Sequence, residues 1–194
     1  MTGGALAQAL SLALSPVLAR VYSPEQFGVF AMYAFVFGIL AAVVCGSYES
    51  AIVLPAGDDG ARTALQLSIV IACGVSLAAA VGGLVAAPSL AAALRVPSLA
   101  PWFGLLSLNL LGLGVAQALT NWVNRAGGYR QLATSRVVQS GATIGAQIGA
   151  GAAAVGPVGL IGGQVLGQTA VAAYFLRAGI RGGALAAGKA LDWA

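Results

Sequence analysis

Residues Phe27 to Gly46 read FGVFAMYAFVFGILAAVVCG, a run that carries no charge. It matches the roughly 20 residues an α-helix needs to cross a hydrocarbon core of about 30 Å. Its polar and apolar positions do not alternate at period two, as barrel strands would. The run therefore reads as a membrane-spanning helix. Apolar character resumes after Glu49 with Ala51-Ile52-Val53-Leu54 and stops at Pro55, so the segment is expected over residues 27–54. A continuous helix of that length would measure about 42 Å, longer than the core it crosses.

Five more apolar segments lie outward from this one, expected over residues 3–21, 64–87, 102–123, 131–155 and 158–176. The joints are YSPEQ, PAGDDGAR, PSLAAALRVPS, NRAGG and VGP, with proline and glycine where helices stop and start. The first segment has no basic leader and no convincing small-residue cleavage site, so it reads as a helix and not a signal peptide. The expected architecture is all-α: a polytopic membrane protein with a six-helix lobe over residues 1–176 and a linker or tail over 177–194. Composition agrees. The chain is 59% hydrophobic and only 7% charged, against about a quarter charged in soluble domains. A chain so poor in charge cannot cover a globule with polar surface, so lipid must solvate much of it.

The net charge of +4 is small and scattered, which argues against nucleic acid as a partner. By location it is a topology signal. Arg62, Arg125, Arg130, Arg136, Arg177, Arg181 and Lys189 fall on one side, and Arg20 and Arg95 on the other. Basic residues collect on the cytoplasmic face, so both chain ends are expected there. The chain has no histidine, which removes the commonest catalytic base and metal ligand. Cys45 and Cys73 sit in apolar runs and read as small buried hydrophobes without a disulfide. Nucleophile elbows, zinc motifs and phosphate loops are absent. Asp58-Asp59 is the only acidic pair and reads as a solvated turn. The expectation is a protein that is not an enzyme and needs no cofactor or metal.

Helical spacing sorts the polar residues into stripes. Gln8, Ser11 and Ser15 share a face of the first segment, which Pro16 can bend. Gln117, Asn121 and Asn124 share a face of the fourth. On the fifth, Arg136, Gln139, Ser140, Thr143 and Gln147 follow one side, while Gly141, Gly145 and Gly149 form a ridge on the other. The sixth carries a matching ridge, Gly159, Gly163 and Gly167. Small residues let helices approach closely in lipid. The fifth and sixth helices are therefore expected to pair as an antiparallel hairpin, glycine ridge against glycine ridge. The polar stripe would then face a hydrated cavity shared with the first and fourth helices. Glu49 falls a turn or two inside the cytoplasmic boundary, at a depth similar to Arg136. It could pair with Arg136, couple a proton or cation through a raised pKa, or repel an anionic substrate as a gate.

The stretches ARVYSPEQFGVFAMY, YESAIVLP, NWVNRAGGYRQLATSRVVQS and GPVGLIGGQVLGQ, in that order, resemble the polysaccharide-transport (Wzx-like) flippases of the MOP exporter superfamily. The resemblance implies a fold of two six-helix lobes around a central cavity, working by rocking-bundle alternating access in the bacterial inner membrane. It implies a cargo too: an oligosaccharide on undecaprenyl pyrophosphate, moved from the cytoplasmic to the periplasmic leaflet. On that reading the chain corresponds to the amino-terminal lobe and the start of the inter-lobe linker. The expected partners are the lipid-linked oligosaccharide, membrane lipids, and a carboxy-terminal lobe or second copy. Arg136 and Arg20 become candidates for the diphosphate, because a guanidinium donates paired hydrogen bonds. Gln8, Gln117, Asn121, Gln139, Thr143 and Gln147 become candidates for the sugar. A drug/cation antiporter or lipid II flippase of the same fold, and a non-enzymatic membrane scaffold, are the alternatives.

Overall fold

The computed structural model describes residues 2–44, 58–93 and 102–181. They form six helices: α1 (Thr2–Val21), α2 (Pro24–Val44), α3 (Asp58–Ala93), α4 (Phe103–Arg125), α5 (Tyr129–Ala152) and α6 (Pro157–Arg181). Among the described residues there is no strand. Four helices are long and apolar enough to cross a bilayer, over Pro24–Val44, Gly60–Val85, Phe103–Arg125 and Pro157–Ala178. The chain is an all-α, multi-pass membrane protein. The apolar part of α1, Ala7–Val21, is shorter, and α5 is diluted by glutamine, serine, threonine and glycine.

Local chemistry sets the boundaries. The second helix starts three residues before the expected Phe27, because SPEQ makes a capping box with proline at the first helical position. The Ser23 amide donates to Gln26 Oε1 at 3.1 Å, and the Gln26 amide donates to Ser23 Oγ at 3.4 Å. α2 is described to Val44; the expected continuation to Leu54, with Glu49 and its pairing to Arg136, lies outside the described residues, as does Cys45. Cys73 is described, free and exposed. The third helix exceeds its expected span of 64–87 at both ends. The helix opens at Asp58-Asp59, although the sequence suggested a turn there. Beyond Pro88, read as part of a joint, the helix continues into an alanine run of high helix propensity.

The α4–α5 joint closes with paired carboxy-terminal bonds. The Gly128 amide donates to the Val123 carbonyl at 3.0 Å, and that of Gly127 to Asn124 at 3.1 Å. Gly127 takes φ +73°, the left-handed conformation this motif requires. The α5–α6 joint repeats the pattern, with Val155 donating to Ala150 at 3.2 Å and Ala154 to Gly151 at 3.0 Å. Here an alanine, Ala154, occupies the left-handed position at φ 53°.

α5 lies along α6, α6 against α4, and α4 against α3; α1 packs on α5, and α2 crosses α4 and α6. One core cluster holds Tyr33, Phe37, Ala72, Leu106, Leu110 and Ile161. A second gathers Leu65, Ala118, Leu119, Val171 and Phe175. Outward, α2 presents Phe35, Ile39 and Val43, and α3 presents Leu67, Val70, Leu77, Val81 and Leu84. These bulky exposed rows are the lipid face.

The glycine ridges do not meet as expected. A Cβ added at Gly141, Gly145 or Gly149 would touch nothing within 4 Å, so that face of α5 is open. The α6 ridge is the packed one. A Cβ at Gly163 would strike the Gln147 side chain and lie 2.9 Å from the Thr143 carbonyl; one at Gly167 would strike Thr143 Oγ1. At Gly159 it would strike the Tyr22 hydroxyl and Ala150. The reason is complementarity: grooves left by missing side chains are filled by larger ones, whereas two facing glycine ridges leave gaps and forfeit dispersion contacts. The α5 stripe therefore turns partly into the α6 seam.

Candidate functional site

A cavity of about 370 Å³ lies among α1, α4, α5 and α6. α1 supplies Gly4, Ala7 and Gln8; α4 supplies Leu113, Ala116, Gln117 and Thr120. α5 contributes Leu132, Ser135, Arg136, Gln139 and Ser140, and α6 contributes Gln168 and Val171. Of these lining residues, Arg136 alone carries a charge and none is acidic. Four side-chain amides and three hydroxyls line the cavity with that one cation, and Arg136 itself is exposed.

Each side chain arrives there by helical spacing. Arg136, Gln139 and Ser140 are three and four residues apart on α5, one turn of a single face. Gln117 and Thr120 are likewise spaced on α4. Gly112 allows α4 to close on α6 beside the cavity, since a Cβ there would meet the Gln168 Cβ at 3.2 Å. The Arg136 side chain lies across α1 at Gly4, where an added Cβ would come within 3.1 Å of its Nη1. The hydroxyls of Thr120 and Ser135 donate back to the carbonyls of Ala116 at 2.6 Å and Leu132 at 3.0 Å. Their lone pairs remain acceptors.

Gln8, Gln117, Arg136 and Gln139 are thus brought together, and other candidates are not. Gln147 is buried in the α5–α6 seam, where its Nε2 donates to the Leu160 carbonyl at 3.1 Å. Thr143 packs against Gly167 in the same seam. Neither lines the cavity. Asn121 is half-buried one position beyond Thr120, off the lining face. Arg20 is exposed in the last turn of α1, about 18 Å along the helix from Gln8. Sequence reasoning missed Gln168, Thr120 and Ser135. For Gln168 a signal existed: Gln164 and Gln168 recur four residues apart in an otherwise apolar helix, but the glycine ridge drew the reading of α6 toward packing.

Tyr22 was missed as well. Its hydroxyl donates to the Gln147 carbonyl at 2.6 Å, and its ring fills the space above Gly151 and Gly159. This side chain fixes the end of α1 to the α5–α6 hairpin and so holds the α1 wall in place.

Residues 17–178, from the last turn of α1 into α6, match the family of polysaccharide biosynthesis proteins. The chain belongs to that family. Neither the curated proteins nor the solved structures compared with it give a match. As a polysaccharide biosynthesis protein, it carries a polar cavity among α1, α4, α5 and α6, while the bulky apolar rows of α2 and α3 face outward. Among its described residues no group of three or more acidic, histidine or cysteine side chains could hold a metal.

Proposed function

We propose that this chain is a membrane transporter that carries an oligosaccharide linked to undecaprenyl pyrophosphate across the bacterial inner membrane by alternating access. The observation that carries the reading is the cavity: one guanidinium, four amides and three hydroxyls line it, in a chain whose outer rows on α2 and α3 are apolar. A pyrophosphate and a sugar chain cannot enter hydrocarbon without losing their hydrogen bonds to water. A wet wall replaces those bonds while the prenyl tail stays in lipid. Arg136 suits the diphosphate through paired charge-assisted bonds. Gln8, Gln117, Gln139 and Gln168 suit sugar hydroxyls, because each amide both donates and accepts. The arginine distribution supports an orientation with both ends cytoplasmic and the α4–α5 joint, with Arg125 and Arg130, on that side.

A cation antiporter is the weaker reading, since no carboxylate is among the cavity-lining residues. The two readings separate in a binding measurement on the detergent-purified chain. An undecaprenyl-pyrophosphate-linked oligosaccharide should bind, and Arg136→Gln should weaken it about 10- to 100-fold, the loss of a charged hydrogen-bonding group. Arg136→Lys should fall between. Equal binding by wild type and Arg136→Gln, or binding of a cationic drug in place of the lipid, would overturn the assignment.

A further inference from the structure

Helix register gathers charges that the sequence scatters. A Cβ on Gly83 would press on Phe103, and one on Gly114 would strike Ala72. The two contacts are eleven residues apart on both helices, so α3 and α4 run antiparallel and Arg62 falls level with Asn124, beside Arg125. Across the α5–α6 seam, Gly163 meets Gln147 and Gly167 meets Thr143, which sets Arg177 within one turn of Arg130. Arg125 ends α4, and Arg130 follows Tyr129, the first residue of α5. Four guanidiniums from four successive helices thus occupy one slab about 8 Å deep, at 1.5 Å per residue.

Little offsets them. Asp58 and Asp59 open α3 one turn further out, on the helix of Arg62, and α4, α5 and α6 contain no acidic residue. Arg130 and Arg177 are both exposed. At the opposite end, the described residues offer one arginine, Arg20, and one glutamate, Glu25, both exposed. The slab also sits where the apolar rows stop. Exposed Leu176 directly precedes Arg177, and exposed Leu67 lies five residues into α3 from Arg62. Trp122, Tyr129 and Tyr174 each stand within three residues of one of these arginines. Such rings favour the depth of lipid headgroups.

We infer that this girdle is a binding surface for anionic phospholipid, with Arg130 and Arg177 bonding the phosphates of lipids seated around α5 and α6. A guanidinium donates paired bonds to phosphate, and each basic residue at an anionic surface strengthens attraction about five-fold. Insertion topology needs only the sign of these charges. Their collection at one exposed level, without counter-charges on α4, α5 and α6, makes them a site in the folded protein. The girdle depends on the membrane fold alone, so it stands or falls separately from the cargo of the cavity.

Tryptophan quenching by brominated lipid tests this on the purified chain in bilayer vesicles. With Trp102 and Trp193 replaced by phenylalanine, Trp122 reports on lipids at the girdle. With Trp122 and Trp193 replaced instead, Trp102 reports on the other end. At Trp122, brominated phosphatidylglycerol should associate about five- to ten-fold more strongly than brominated phosphatidylcholine; at Trp102 the two should be equal. The preference should shrink as potassium chloride rises, because salt screens exposed charges. Arg130→Gln with Arg177→Gln should remove it, and Arg130→Lys with Arg177→Lys should keep most of it. If the double glutamine variant does not fold, the salt series and the Trp102 comparison still decide the matter. Equal association of both lipids at Trp122 would overturn the surface. So would an equal preference at Trp102, or a preference that survives both glutamines.

Discussion

Ala154 and Tyr22 hold the turn end of the α5–α6 hairpin by opposite means. Ala154 sits in the left-handed region at φ 53°, where a Cβ costs about 1–2 kcal/mol and glycine pays no such penalty. Ala154→Gly should therefore stabilise the chain by about 1 kcal/mol, read as a higher unfolding midpoint in detergent. Tyr22 works through fit and one hydrogen bond. Tyr22→Phe keeps the ring over Gly151 and Gly159 and loses only the bond to the Gln147 carbonyl, about 1 kcal/mol. Tyr22→Ala empties the seat and should cost about 3–5 kcal/mol, as large-to-small changes at aromatic positions do. Equal loss in both variants would show that the hydroxyl, and not the ring, does the holding.

At the scale of the helix, the two glycine ridges look equivalent in sequence and are not equivalent in the fold. Gly163 has backbone against it, with the Thr143 carbonyl 2.9 Å from any added Cβ. Backbone cannot swing aside, so Gly163→Ala should destabilise the hairpin by about 1–3 kcal/mol. Gly145 faces open space. Gly145→Ala should be neutral or stabilising by up to about 1 kcal/mol through helix propensity alone. Thermal unfolding of the two variants in one detergent compares them directly. A larger loss at Gly145 would mean that the open face of α5 is covered in the membrane. Periodicity had shown that α5 carries two unlike faces and α6 a small-residue groove. It could not show which α5 face enters the groove, because that depends on the shapes of both helices at once.

Across the whole molecule, exposure has two meanings, water and lipid, and chemistry separates them. On a background with Cys45 and Cys73 replaced by serine, Gln117→Cys and Gln139→Cys should react with a water-borne thiol reagent in intact membranes. Leu84→Cys should not, although Leu84 is 82% exposed, because its surroundings are hydrocarbon. Gln147→Cys should also stay unmodified, since Gln147 is buried against α6. Fast labelling at position 147 would place water in the α5–α6 seam and restore the longer polar stripe that the sequence suggested. Protection at both 117 and 139 would remove the wet wall on which the transport reading rests.

Sequence alone determined that the chain is a bundle of apolar helices, because the need to satisfy backbone bonds in lipid leaves few other options for such runs. It also marked Gln8, Gln117, Arg136 and Gln139, since helical spacing puts the polar residues of each run on a shared face. Tertiary structure decided the rest. Thr143 and Gln147 were drawn into a seam by the gaps that Gly163 and Gly167 leave, Gln168 was turned into the cavity, and Arg20 was kept apart from Arg136. A repeat along one helix fixes which residues share a face. Only the neighbouring helix fixes what that face meets.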